Sequence, residues 1–307
     1  MRKTKLKDWV LILITFAFLL FIGDIIFKIQ ITTFQKQVRE TIKEELYLNE
    51  IRHNLVQFLK VYTAYKDKIP LKLVRYGRDN DGGYIIPEKA LEQADVLIGY
   101  GIDQDSSFEE DFARIYKKPS YGFDCGVDYK GGKNPLFTFI NECISSDKFL
   151  FYDQKSSNRI LSFSQQLDNL QIKDKKIFIK MDIEGGEYEV FDEILEYKNN
   201  ITGIALELHL DLSKTGLLKA LKLLRDLRQN FVLLHVHGNN YCPGYLIDAN
   251  SLGPIPTVLE LTYINKSLVT NYHIAANQSH PTLIDAPNDP TRKDVYFEIL
   301  SSKACCE

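Results

Sequence analysis

The residue types best suited to chemistry fall in a few short clusters. Ile179-Lys-Met-Asp182-Ile-Glu184-Gly185-Gly186-Glu187 ends an apolar run on two carboxylates two positions apart. Neighbouring carboxylates raise one another's pKa, which suits one of them to act as a base near neutral pH. Glu187 and Glu189 read instead as acidic residues that favour the N-terminus of the next helix. Glu207 and His209 close the following apolar run, and His235 and His237 alternate on the one after it. Asp182, Glu184 and His209 are therefore the catalytic candidates. His237, Asn239 and Asn240 are candidates for reading the hydroxyl groups of an acceptor, although an Asn pair after Gly238 also suits a left-handed turn. Asp81-Gly82-Gly83-Tyr84 reads as a hairpin turn between Leu73 and Ile85.

A fifth cluster has the layout of a nucleotide-binding turn. Val96-Leu-Ile-Gly99-Tyr-Gly101-Ile-Asp103 runs from a strand into two glycines, and Ser106 and Glu109 have capping-box spacing at the start of a helix. Asp124 ends a second strand 23 residues after Gly101 (101 to 124), where a carboxylate is placed to accept the hydroxyls of an adenosine ribose. Gly99, Gly101, Asp103, Ser107, Asp124 and Asp182 are the cofactor-binding candidates. Asp103 stands where a pyrophosphate-binding fingerprint has its third glycine. An anion there repels a pyrophosphate and tolerates a sulfonium or ammonium group, which favours S-adenosylmethionine over NAD.

Positioning these groups requires alternating strands and helices. Short apolar runs at 96–100, 121–124, 177–181, 203–208, 231–236 and 258–263 read as strands, and 107–117, 187–198 and 214–229 as helices. Val190, Phe191, Ile194 and Leu195 share one helix face, as do Leu217, Leu218, Leu221, Leu224 and Leu227. Such alternation implies βαβ units, a mostly parallel sheet covered on both faces, and ligands beyond the carboxyl ends of the strands.

The Asp182-Ile-Glu184-Gly185-Gly186-Glu187 segment, with Lys180 before it, resembles the fourth-strand signature of FkbM-type methyltransferases. Asp81-Gly-Gly-Tyr84, His235-Val-His237-Gly-Asn239-Asn240 and Leu259-Glu260-Leu-Thr-Tyr263 resemble further segments of a subgroup of that family, in the same order. The resemblance covers roughly residues 70–300. It implies a Rossmann-like class I methyltransferase fold with a mostly parallel seven-stranded sheet. It also implies S-adenosylmethionine-dependent O-methylation, often of sugar or glycan-like hydroxyls, and a loop over the active site at Asp81–Tyr84. An NAD-dependent oxidoreductase and a noncatalytic membrane-tethered binding module are the rival readings. A metal-assisted mechanism through Asp182, Glu207 or His209 and an Asn is conceivable, but no spacing motif demands a metal.

The rest of the chain sets the context. With 38 Lys+Arg against 41 Asp+Glu among 307 residues, it lacks the basic excess of a nucleic-acid binder. Trp9 to Phe27 is apolar apart from Thr15, Gly23 and Asp24, and Arg2, Lys3, Lys5 and Lys7 precede it. This reads as an uncleaved single-pass anchor over 9–27 after a short basic tail over 1–8, with the N-terminus cytoplasmic. The catalytic domain, 66–307, then lies on the lumenal or extracytoplasmic side, Golgi or ER in a eukaryotic cell. That placement separates it from the cytosolic supply of the methyl donor, so either a donor transporter exists or the topology is inverted. Residues 28–65 read as a helical stem in which Leu48, Ile51, Leu55, Phe58 and Tyr62 form a stripe, for self-association or for packing on the main domain. The five cysteines, Cys125, Cys143, Cys242, Cys305 and Cys306, show no metal spacing and do not decide the redox compartment. Asn200, Asn265 and Asn277 sit in glycosylation-type triplets.

Overall fold

The computed structural model describes residues 2–146, 159–249 and 251–300; Cys305 and Cys306 lie outside the described residues. The chain divides into two units, Met1–Glu50 and Ile51–Glu307. The first is built by helix α1 (Arg2–Phe58), whose last turns belong to the second unit. An 18-residue window of α1 has a mean hydropathy of 2.0 and no buried residues. The helix is thus long and apolar enough to cross a membrane, as an anchor or a signal sequence does.

Two expectations for the stem are corrected. The helix ends at Phe58 rather than at 65, and Tyr62–Lys66 is a strand paired antiparallel with Asn271–Ile274. The tertiary partner outweighs the helix propensity of the local sequence. The boundary between units falls at residues 50/51 rather than 65/66, because Ile51, Leu55 and Val56 are buried in the second unit. That part of the apolar stripe packs within the domain.

The second unit is mixed α/β around one seven-stranded sheet. Its strands, numbered in chain order, are β1 (Val96–Tyr100), β2 (Ser120–Phe123), β3 (Phe137–Ile140), β4 (Ile177–Met181), β5 (Ile201–His209), β6 (Phe231–Gly238) and β7 (Val258–Asn265). Their order is β3-β2-β1-β4-β5-β7-β6. β7 runs antiparallel to both neighbours and the remaining pairs are parallel. β1, β4, β6 and β7 are buried along their whole length, which is why they read as unbroken apolar runs rather than alternating ones.

Helices α2 (Glu88–Gln93), α3 (Ser107–Tyr116), α4 (Phe163–Leu170), α5 (Glu187–Ile194) and α6 (Lys214–Asn230) cover the sheet. Strand alternation decides which side each residue serves. Leu97 and Phe178 join Ala90, Leu91, Phe108 and Phe112 of α2 and α3 in one core. Tyr100, one residue out of phase with Leu97, sends its hydroxyl to Gln166 of α4 on the opposite side (2.9 Å). The order reverses direction between β1 and β4, the place where open α/β sheets leave a crevice beyond their carboxyl ends.

Candidate active site

At that crevice the two sheet strands touch through backbone. Gly101 has φ +67°, and a Cβ there would lie 1.6 Å from the Asp182 carbonyl oxygen. Only glycine supplies both the left-handed conformation and the clearance. Gly99 is used differently, since its missing Cβ leaves room for the Glu109 carboxyl, whose Oε1 would be 2.0 Å away. At both glycines the missing Cβ leaves room for another part of the chain.

Glu109 is consequently not the partner of Ser106 in a capping box. It is buried, and burial raises its carboxyl to about 7 while the Lys180 ammonium opposes the shift. Ser106 donates to Glu110 Oε1 (3.2 Å), and Asp105 caps the helix by accepting from the Ser107 N–H (3.1 Å). The Ser107 hydroxyl is also engaged, donating to Asp105 Oδ2 and accepting from the Arg78 N–H, both at 3.1 Å. Lys180, which the sequence marks only as part of the family-like signature, donates from Nζ to the Gly101 carbonyl (2.7 Å) and is buried. Asp103 is exposed with φ +44°, and its N–H donates to Asp124 Oδ2 (3.0 Å). Asp124 Oδ1 accepts from the Gly126 N–H (2.7 Å), so its carboxylate lies against the Gly-x-Gly turn with one acceptor site per oxygen already used. The adjacent Cys125 is disulfide-bonded to Cys143.

The acidic cluster forms on the other side of Asp182. β4 stops at Met181, so strand alternation does not set the relative placement of Asp182 and Glu184. A turn with Glu184 at φ +55° and Gly185 at φ +97° brings them together instead. His209, at the end of β5, is their meeting point. Its Nε2 lies 3.2 Å from Glu184 Oε2 and 4.0 Å from both Asp182 Oδ1 and Glu207 Oε1, and its Nδ1 is 2.7 Å from Glu187 Oε1. Glu187 is fully buried, so reading it only as a charge at the start of α5 missed half its role. Burial and the neighbouring carboxylates push Glu207 well above the usual carboxylate range, and burial lifts Asp182 to about 6 against the pull of Lys180 and His209. The carboxylates surrounding the His209 imidazole raise its pKa despite the burial.

A cavity of about 610 Å³ opens on this cluster, lined among others by Asp81, Asp182, Glu184, Glu207, His209 and Asn239. Asp81 lies in the turn of a hairpin, Leu73–Tyr76 paired with Tyr84–Pro87. The turn reading therefore holds for this segment, and its Asp81 lines the cavity. Gly82 and Gly83 let it fold tightly, since a Cβ would meet Asp105 Oδ2 at 2.3 Å and the Arg78 carbonyl at 1.9 Å. Tyr84 is buried and donates to Glu207 Oε2 (3.4 Å), while Asn239 Nδ2 donates to Glu207 Oε1 (2.9 Å).

His237 and Asn240 do not join the cavity lining. Asn240 exchanges hydrogen bonds with the Asp289 backbone, donating at 2.9 Å and accepting at 2.7 Å. His237 is held between Glu260 on β7 (3.1 Å) and Asp294 (3.1 Å), which raise it to about 10 against burial. The strand register explains this placement, because Glu207, Glu260 and His237 face one another across β5, β7 and β6. Sequence order cannot show a β6–β7–β5 neighbourhood, so Glu260 went unassigned. Two glycosylation-type asparagines are also used internally. Asn265 Nδ2 donates to the Lys198 and Ile201 carbonyls, and Asn200 Nδ2 to those of Lys173 and Lys175. Compared with known proteins, no family model, curated sequence or solved structure matches this chain.

Proposed function

We propose that this chain is an FkbM-type, S-adenosylmethionine-dependent O-methyltransferase that acts on a carbohydrate or glycoconjugate hydroxyl. The observation that carries the reading is the acidic cavity at the strand-order reversal, where Asp182 lies between the Gly99–Gly101 turn and the Glu184–Glu207–His209 cluster. The sheet supports it: the order is the doubly wound 3-2-1-4-5-6 with a reversed strand inserted before the last, a Rossmann-like arrangement.

The residues present fit the methyl donor. Asp124 ends β2 beside the glycine turn and keeps lone pairs free for ribose hydroxyls. Asp182 Oδ1 is buried without a hydrogen-bond partner, which suits a cationic group better than an anionic one. A pyrophosphate would meet Asp103, Asp105 and Asp124 together, which counts against the NAD reading. When bound, S-adenosylmethionine supplies an electrophilic methyl group. The protein's own work is alignment and proton removal. Asp81 and Glu207 accept hydrogen bonds from acceptor hydroxyls in the cavity, and Glu184, exposed at its rim, takes the proton of the reacting hydroxyl. An uncharged, hydroxyl-rich acceptor suits such a surface, whereas an anionic one would be repelled.

The membrane helix and the Cys125–Cys143 disulfide support a tethered enzyme on the extracytoplasmic side, since disulfides persist in oxidising compartments. Calorimetry of the detergent-solubilised full chain should show binding of S-adenosylmethionine and none of NAD. Transfer of labelled methyl groups to glycan acceptors should fall roughly 10²–10⁴-fold in Glu184→Gln with donor affinity unchanged. Absence of donor binding would overturn the reading, and full activity in Glu184→Gln would remove that residue from proton transfer.

A further inference from the structure

Asp182, Glu207 and His209 offer one ligand atom each within 4.8 Å of one another, from the ends of two adjacent strands. We propose that they form a binding site for a divalent metal cation. Three independent features point to it.

The first is the orientation of His209. Its Nδ1 is 2.7 Å from Oε1 of Glu187, whose side chain is fully buried. With the proton on Nδ1, Nε2 presents a lone pair 3.2 Å from Glu184 Oε2 and 4.0 Å from both Asp182 Oδ1 and Glu207 Oε1. Glu207 Oε1 accepts from Asn239 Nδ2 (2.9 Å), whereas Asp182 Oδ1 finds no donor within the group. A carboxylate behind a histidine is the arrangement that fixes a metal ligand's tautomer and strengthens its basicity.

The second is Asp182 Oδ1, a buried oxygen with no hydrogen-bond partner. Leaving a buried acceptor unsatisfied is destabilising, and more so when it is charged. A cation at this point satisfies it. Bonds of about 2.0–2.2 Å place neighbouring ligand atoms some 3.0–3.5 Å apart, so small side-chain rotations close the 4.0 Å gaps.

The third is charge. Asp182, Glu184, Glu187 and Glu207 crowd around His209, and the nearby Lys180 ammonium is committed to the Gly101 carbonyl. The other histidine–carboxylate groups on the sheet differ. His235 with Asp285, and His237 with Glu260 and Asp294, lie outside the cavity lining. The Asp182 group alone opens on the 610 Å³ cavity.

Two carboxylates and one imidazole suit Mn²⁺, Fe²⁺, Zn²⁺ or Mg²⁺, and three protein ligands leave positions open for water or substrate oxygen. The catalytic use, lowering the pKa of a bound hydroxyl, rests on the methyl-transfer reading; the binding site does not. The test therefore reads binding alone, on chelator-stripped full chain in detergent titrated with Mn²⁺ and followed by the paramagnetic resonance of the free ion. One equivalent should bind. Glu187→Gln, which keeps a hydrogen bond to Nδ1, should weaken binding roughly 10–100-fold with unchanged circular dichroism, and His209→Ala should weaken it at least as much. No saturable binding of Mn²⁺ or Zn²⁺ to the wild type overturns the proposal, as does equal affinity in both variants.

Discussion

Glu109 shows how one residue's surroundings become a property of the fold. Its carboxyl is sealed between α3 and the backbone of Gly99, and burial holds its proton to about pH 7. The unfolded chain releases that proton near pH 4.5, so the residue draws stability down as pH rises from about 4.5 to 7 and adds no further slope above that. Glu109→Gln should flatten this segment of the stability curve and gain on the order of 3 kcal/mol at pH 8, where the shift is fully expressed. Thermal denaturation at pH 5 and pH 8 checks it, and parallel slopes in the two proteins would refute the assignment. The sequence marked this residue as half of a capping box, because Ser-x-x-Glu spacing is a local pattern. What it meets instead is a missing Cβ on a strand, which spacing does not encode. The contacts of Lys180 and Glu187 escaped for the same reason, since their partners, the Gly101 carbonyl and His209, come from other elements. Asp182, Glu184 and His209 were legible because strand ends at the carboxyl edge are where side chains converge.

Among the elements, β5, β7 and β6 carry a row of charge through the sheet. His237 is buried between Glu260 and Asp294, and its pKa of about 10 lies above the value of 6.5 it has when unfolded. The stabilisation is therefore complete below about pH 6.5 and is lost as pH rises through 10. His237→Ala should destabilise by roughly 3–5 kcal/mol at pH 7 by leaving the carboxylates uncompensated. His237→Gln should in addition abolish the alkaline part of the decline, and chemical denaturation at pH 7 and pH 10 measures both. Strands whose residues are buried on both faces were readable as apolar runs, and α5 and α6 followed from the periodicity of their apolar faces. β3 was missed because it is short and partly exposed, and α4 because a polar eight-residue helix leaves little pattern. The Tyr62–Lys66 strand was read as helix, its identity being fixed by Asn271–Ile274 more than 200 residues away.

For the whole molecule, the disulfide and the long apolar N-terminal helix bear together on the compartment. Closing the 18-residue separation between Cys125 and Cys143 constrains the unfolded chain by ~3 kcal/mol. On the proposed topology, alkylation without prior reduction should leave both cysteines unmodified, and a C-terminal tag should resist protease in sealed vesicles. Modified thiols together with a cleaved tag would place the domain in the cytosol. Composition concealed this division, since a near-neutral average of 38 basic and 41 acidic residues combines an apolar helix with an acidic cavity. The cavity wall has one more consequence. Asp81 Oδ1 accepts from Asn288 Nδ2 (3.2 Å), which also donates to Glu260 (2.6 Å), and His237 waits for Asp294. All of these later partners are made after the last strand of the sheet. A ribosome must therefore finish nearly the whole domain before Asp81, Glu260 and His237 meet these hydrogen-bond partners.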